Sequence, residues 1–177
     1  LGVQTAFNFL GPLANPARPV SQAIGCANRS LAPRVAGVLA GRGHRGLVFH
    51  GEDGLDELTT TTRSLVWLVA EGNVTQTELD PRELGLAPAS PEALVGADPA
   101  HNAGVVRRVL AGDPGPVRDI VLLNAAAALL AYAGLSDRPV AEQLAPHLER
   151  AAEAIDSGAA ADTLQRWAAV TAAAAKV

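Results

Sequence analysis

Residues 22–50 read QAIGCANRSLAPRVAGVLAGRGHRGLVFH, and this stretch decides the fold. Its two ends, at about 22–27 and 46–50, are short apolar runs typical of strands that are buried on both faces. The segment between them, 31–41, predicts a helix because its apolar residues fall on one stripe. That stripe consists of Leu31, Val35, Val38 and Leu39. A strand, a helix and a strand in this order predict a right-handed unit with parallel strands.

The chain changes character on the C-terminal side of this unit. The β-prone runs 63–69 and 74–79 flank a Gly72-Asn73 pair, which predicts a hairpin turn. The remainder of the chain predicts mainly helices. The helix that begins at Pro116 is apolar on all sides and is therefore expected in the interior. We predict an α/β fold with a parallel sheet and a C-terminal helical half.

Composition narrows the classes of function. The length of 177 residues fits one domain with a real core. The net charge is −4 and the single lysine is Lys176, so a nucleic-acid-binding surface is disfavoured. The sequence contains no long uncharged apolar run of the kind that predicts a membrane span. Cys26 is the only cysteine, which excludes an internal disulfide and fits a reducing cytoplasm. The chain begins at Leu1 and not at methionine, so we expect it to be part of a longer protein.

The acidic segment, residues 51–62 (GEDGLDELTTTT), follows the second predicted strand directly. It places four carboxylates within six residues, at the edge where open α/β sheets bind ligands. Two glycines allow a tight turn, so that Asp56 and Glu57 can face one cation. Mg²⁺ takes one or two protein carboxylates and leaves its other positions to water or phosphate oxygens, which predicts a metal–diphosphate site. A solvated acidic turn is the alternative, and composition alone does not choose between this pair and Glu52 with Asp53.

A second candidate is the segment 8–16, which reads NFLGPLANP. Gly11 and Pro12 break its helical pattern and form a rigid wall that suits a flat aromatic ligand. An ordinary structural kink explains the same residues. Elsewhere, His50 is interpreted as a core or hydrogen-bonding residue and Asn124 as a satisfied buried amide, and no catalytic side chain is assigned.

Four stretches together resemble the anthranilate phosphoribosyltransferases. LGVQTAFNFLGPLANPA at 1–17 is similar to that family's LGxRTxFNxLGPLxNP, and HGEDGLDEL at 50–58 is similar to its HGxDGLDEL. RDIVLLNAA at 118–126 and AIDSGAA at 154–160 are similar to RDxVxLNAA and AIDSGxA. The stretches occur in the order of the family and span nearly the whole chain. Gln4 departs from the arginine that is common at its position.

The resemblance implies a nucleoside-phosphorylase-like fold of the phosphoribosyltransferase class, with residues 1–177 as the C-terminal part of the α/β domain. The family's N-terminal helical domain and glycine-rich diphosphate loop precede the matched region, so the chain alone is expected to be inactive. The implied enzyme is a cytoplasmic homodimer that transfers the phosphoribosyl group of 5-phosphoribosyl 1-diphosphate to anthranilate in tryptophan biosynthesis. Asp56 and Glu57 match its Mg²⁺ carboxylates, and Pro12, after Gly11, matches the proline that lines its anthranilate site.

Two rival functions stay open at this point. A nucleic-acid-binding paralogue of the same fold would need a basic groove, which the net charge and the intact acidic segment disfavour. A pyrimidine nucleoside phosphorylase is a related enzyme with another substrate, and the Gly-Pro-Leu and Asp-Glu-Leu motifs disfavour it.

Overall fold

The computed structural model describes residues 11–174, and a four-stranded sheet lies at its centre. The strands follow one another across the sheet in chain order: β1 (Ser21–Gly25), β2 (Arg45–Gly51), β3 (Ser64–Ala70) and β4 (Asn73–Leu79). β1 and β2 are parallel, as predicted, with Ile24 opposite Val48. β3 runs antiparallel to β2 and to β4, so the sheet is mixed and the predicted parallel arrangement is confined to β1 and β2.

The direction of β3 follows from its connections. The acidic segment links β2 to β3 without a helix, whereas a parallel return would need a crossover connection. β3 and β4 meet in a two-residue turn in which Glu71 and Gly72 have φ angles of 51° and 76°. Positive φ at both turn residues matches the twist of a hairpin. The predicted hairpin is confirmed, with Asn73 as the first residue of β4 and not part of the turn.

Helices cover both faces of the sheet and form the C-terminal half. Those of residues 11–174 are α1 (Ala32–Gly41), α2 (Pro99–Leu110), α3 (Pro116–Ala133), α4 (Val140–Asp156) and α5 (Ala159–Ala174). Short 3-10 turns occupy Pro12–Ala14, Pro81–Leu84 and Pro91–Leu94. The helix α1 connects β1 to β2, which completes the predicted unit of strand, helix and strand.

β2 lies at the middle of the core because its side chains alternate between two apolar clusters. Val48 packs with Val35 and Leu39 of α1 on one face of the sheet. Leu47 and Phe49 pack on the other face, in a cluster to which α3 and α4 contribute. The strand is therefore covered on both faces, as its continuous apolar run predicted.

Two predictions from apolar patterns are modified by the structure. Val38 lies at the flank of α1 and is 39% exposed, because the buried stripe of this helix runs through Val35, Ala36 and Leu39. α3 buries one side in the core, but Val121 and Tyr132 on its other side are 42% and 75% exposed. By length and composition, α3 is long and apolar enough to cross a membrane. The core helix of a soluble protein can have the same length and composition, and 39% of α3 is buried.

Candidate metal-binding site

The acidic segment leaves the carboxyl end of β2 and lies against the carboxyl end of β1. Gly25 is the last residue of β1, and a Cβ atom added to it would overlap the carbonyl oxygen of Asp56. The main chain at Asp56 therefore rests on the strand end, and glycine leaves the room for it. His50 is 8% exposed and joins the same two strand ends, because its Nδ1 lies 2.9 Å from the carbonyl oxygen of Cys26. The prediction that His50 is a hydrogen-bonding residue is confirmed.

Asp53 shapes the acidic segment from within. Its Oδ1 accepts a hydrogen bond of 3.1 Å from the Leu55 amide. Its Oδ2 accepts hydrogen bonds from the hydroxyls of Thr59, at 2.6 Å, and Thr61. Burial raises the pKa of the Asp53 carboxyl, but these hydrogen bonds together outweigh it and hold the pKa below its ordinary value. Both carboxylate oxygens are thus engaged in the turn, which makes Asp53 a structural group of the segment.

Asp56 and Glu57 are neighbouring carboxylates of this segment, in which all four acidic residues are exposed. Both residues are exposed, and within residues 11–174 neither forms an ion pair with a basic side chain. Partial burial raises the pKa of Glu57, and the neighbouring charge of Asp56 raises it further. A cation shared by the two carboxylates would relieve this repulsion.

The donor atoms of this pair fit Mg²⁺. Across the described part of the chain, no three His, Cys, Asp or Glu side chains are grouped closely enough to hold a metal ion. Mg²⁺ is usually held by one or two carboxylates and keeps water or phosphate oxygens in its remaining positions. Two adjacent exposed carboxylates therefore suit an ion that arrives with a phosphate ligand, and they do not suit an ion enclosed by protein alone.

A side chain from α3 holds the residue that follows the pair. Asn124 accepts a hydrogen bond of 3.0 Å from the Leu58 amide through Oδ1, and its Nδ2 donates one of 2.8 Å to the Leu58 carbonyl. A further bond of 3.0 Å runs from Nδ2 to the Ile120 carbonyl, one turn earlier in the helix. Leu58 itself is fully buried. The predicted hydrogen bonding of the Asn124 amide is confirmed, but the residue is half-buried and not fully buried as predicted.

The other candidate residues lie at the opposite end of β1. Pro12 lines an open groove of about 590 Å³ together with Gln22 and His44. Gln22 is near the start of β1 and His44 directly precedes β2, whereas Asp56 lies at the carboxyl end of β1. The structure thus does not bring Pro12 next to the acidic segment, and a substrate contact at Gly11 or Pro12 stays a prediction. Residues 8–10, the first part of the segment 8–16 that contains Gly11 and Pro12, lie outside the described residues.

Two positioning features were not found from the sequence. Gly25 lies within the apolar run that predicts β1, and an isolated glycine in a strand pattern is a signal of close backbone approach. Asn124 was recognised as a polar residue in an apolar helix, but its partner Leu58 is 66 positions away. No local pattern identifies a partner at that separation.

Comparison with known proteins places this geometry in a family. Residues 1–161 match the model of the family described as "Glycosyl transferase family, a/b domain". The chain is 57% identical to the anthranilate phosphoribosyltransferase of Streptomyces avermitilis, across 97% of the chain and 48% of the relative. It is 58% identical to that of Thermobifida fusca, across 94% of the chain and 48% of the relative. The chain spans about half the length of these curated relatives.

Solved structures show the same fold. Anthranilate phosphoribosyltransferase from Thermus thermophilus has a TM-score of 0.82 at 38% identity, covering 95% of this chain and 48% of that one. The Saccharomyces cerevisiae protein in complex with PRPP and Mg has a TM-score of 0.81 at 26% identity, covering 93% of this chain and 46% of that one. The family model spans most of the sequence and the fold agrees with that of the relatives, so this chain belongs to the glycosyl transferase family and carries its α/β domain.

Proposed function

We propose that this chain is the C-terminal part of an anthranilate phosphoribosyltransferase of tryptophan biosynthesis. The complete enzyme transfers the phosphoribosyl group of 5-phosphoribosyl 1-diphosphate to anthranilate and releases diphosphate. The observation that carries the proposal is the exposed pair Asp56 and Glu57, held on a turn at the carboxyl ends of β1 and β2. Relatives at 57% and 58% identity that bear this enzyme's name support the assignment.

The reaction exchanges one bond at the anomeric carbon of the ribose. The amine nitrogen of anthranilate forms a bond to that carbon, while the bond from the carbon to the diphosphate oxygen breaks and its electron pair leaves with diphosphate. The amine releases a proton to solvent, which gives N-(5-phosphoribosyl)-anthranilate. Asp56 and Glu57 hold Mg²⁺, which when bound neutralises the charge that grows on the departing diphosphate. We assign no proton transfer to a side chain of this chain.

The remaining parts of the proposal follow the resemblance. Gly11 and Pro12 form a wall of the anthranilate site, and the complete enzyme is a cytoplasmic homodimer. The relatives reported above carry the name of the transferase, so neither the nucleic-acid-binding paralogue nor the pyrimidine nucleoside phosphorylase is favoured.

Loss of anthranilate fluorescence in the presence of phosphoribosyl diphosphate and Mg²⁺ tests the reaction. We expect turnover by the complete enzyme and none by the isolated 177 residues, because they span about half the length of their relatives. A complete enzyme that leaves anthranilate unchanged would overturn the proposed function. Turnover by the isolated chain would show that the diphosphate loop of the other half is dispensable.

Substitution of the proposed ligands tests the metal site. In the complete enzyme, Asp56→Asn and Glu57→Gln should raise the apparent Mg²⁺ requirement and lower turnover by roughly tenfold or more, since a loss of about 1.4 kcal/mol costs one decade. Glu52→Gln is the matched control, because this carboxylate lies on the same segment but outside the pair, and it should change little. If all three variants follow the parent through a Mg²⁺ titration, the acidic segment is only a solvated turn.

A further inference from the structure

Asn124 is the only amide side chain of α3, and its hydrogen bonds join that helix to the acidic segment. We propose that Asn124 is a positioning residue, which orients Glu57 and with it Asp56 toward the metal and the diphosphate. The inference rests on the proposed function, because it explains how the proposed metal ligands are held in position.

The bonds from Asn124 fix the two peptide units on either side of Leu58. The Leu58 N–H belongs to the same planar unit as the Glu57 carbonyl, so the bond to Asn124 Oδ1 fixes the plane that begins at the Glu57 Cα atom. The Leu58 carbonyl is fixed in the same way by Nδ2. Because an N–H group can only donate, the amide oxygen of Asn124 must face the Leu58 N–H, and the orientation of the amide is determined.

Asn124 is itself held firmly enough to serve as a reference point. The bond from its Nδ2 to the Ile120 carbonyl restricts rotation of the amide within its own helix. Leu123 and Ala127 of the same helix are fully buried in the core cluster that also contains Leu58. The Glu57 end of the turn is thereby tied to the helical layer, while the Asp56 end rests on the strand β1.

A purely structural amide is the alternative, and the same molecule contains one for comparison. Gln143 of α4 accepts a hydrogen bond of 2.8 Å from the Ser136 amide. It donates bonds of 3.0 Å to the Ser136 carbonyl and 2.6 Å to the Arg138 carbonyl. The loop that it holds lies beside Arg45 at the amino end of β2, whereas the acidic segment leaves the carboxyl end. Gln143 therefore forms the same kinds of bonds far from the proposed metal.

The experiment compares Asn124→Ala with Gln143→Ala in the complete enzyme. Electron paramagnetic resonance measures Mn²⁺ binding in the presence of phosphoribosyl diphosphate and without anthranilate, so that no turnover is required. Both variants should lower the Tm, because each leaves backbone groups without their partner. Only Asn124→Ala should weaken Mn²⁺ binding, by about tenfold, as expected when a group that orients a metal ligand is lost. Only this variant should accelerate amide hydrogen exchange across residues 55–58.

Asn124→Ser is the second variant, in case the alanine variant does not fold. Its hydroxyl keeps a polar group in the helix but is too short to bridge both main-chain groups of Leu58, so the same weakening is expected. A folded Asn124 variant with unchanged Mn²⁺ affinity and unchanged exchange at 55–58 would overturn the inference and leave Asn124 as a structural amide. If the parent takes up no Mn²⁺ with the diphosphate donor, the proposed function has failed, and the inference falls with it.

Discussion

Gly25 and Asp53 set the shape of the acidic segment, although neither is a proposed ligand. Gly25 leaves space for the main chain of Asp56, and the Asp53 carboxylate accepts hydrogen bonds from hydroxyl and amide groups of the turn. Such residues act on a metal site through the geometry of its ligands. Each can be tested by a single substitution.

Gly25→Ala should disturb the metal site without unfolding the chain. The added methyl group would overlap the Asp56 carbonyl oxygen, so the acidic segment must move away from the end of β1. We expect Mn²⁺ affinity in the complete enzyme, measured with phosphoribosyl diphosphate, to fall by roughly tenfold. Gly37→Ala is the matched control, because Gly37 is exposed on α1 with nothing within 4 Å of an added Cβ atom. This control should stabilise the protein by about 0.5–1 kcal/mol and leave Mn²⁺ affinity unchanged. Equal Mn²⁺ affinity in both variants would contradict the role of Gly25.

Asp53→Asn should change how stability depends on pH. Because the folded pKa of Asp53 lies below its unfolded value, its carboxylate contributes stability that is complete above the unfolded pKa of about 4 and is lost as the pH falls through the folded value. In urea unfolding, Asp53→Asn should be less stable than the parent by about 1 kcal/mol at neutral pH, a small value because the side chain is exposed. The difference should shrink in acid. A constant difference for Asp53→Asn into acid would contradict the prediction.

The sequence predicted the residues that carry the charge better than those that hold them in place. The four carboxylates form a local pattern, and their position after a buried strand indicated a ligand site. The contacts from Gly25 to Asp56 and from Asn124 to Leu58 join distant positions, and the second spans 66 residues. Hydrophobic periodicity reports which face of an element is buried, but it does not report which residue it meets.

At the scale of the elements, the same limit appears in the sheet. β1, α1, β2 and the hairpin were predicted because each has a local pattern, whether an apolar run, a helical stripe or a turn pair. The direction in which the hairpin joins β2 was not predicted, because strand periodicity is the same in parallel and antiparallel sheets. Likewise, an apolar sequence on all sides of α3 indicated burial but not which side would stay exposed, as Val121 and Tyr132 do.

The turn between β3 and β4 offers a test at this scale. Glu71 has a φ of 51°, which is uncommon for a residue other than glycine, whereas Asn adopts it more readily and Asn-Gly is favoured in this type of turn. Glu71→Asn should therefore raise the free energy of unfolding by about 0.5–1 kcal/mol, measured by urea titration. The bond from the Asn73 side chain to the main-chain carbonyl of residue 71 is kept. Gly72→Ala should lower stability, because its φ of 76° strains an added side chain. A loss of stability in Glu71→Asn would contradict this account of the turn.

At the scale of the whole molecule, the acidic segment lies where two layers of the fold meet. The sheet supports it through Gly25, and the helical layer supports it through Asn124. Its geometry therefore depends on the docking of α3 onto the sheet, which is a property of the assembled core and not of any one element. This explains why the acidic segment could be chosen from the sequence as a candidate site while its supports could not.

One edge of the sheet decides how the isolated chain should behave as a sample. β1 is an outer strand, and within residues 11–174 no strand pairs with its far side. Its five residues, Ser21–Gly25, include no charge and no proline, the features with which open strands usually discourage pairing with another molecule. In sedimentation velocity, the isolated chain should therefore form heavier species as its concentration rises. A single boundary at every concentration would contradict this. If heavier species do form, association of molecules through β1, and not unfolding of the protein, will limit how long the solution can be stored.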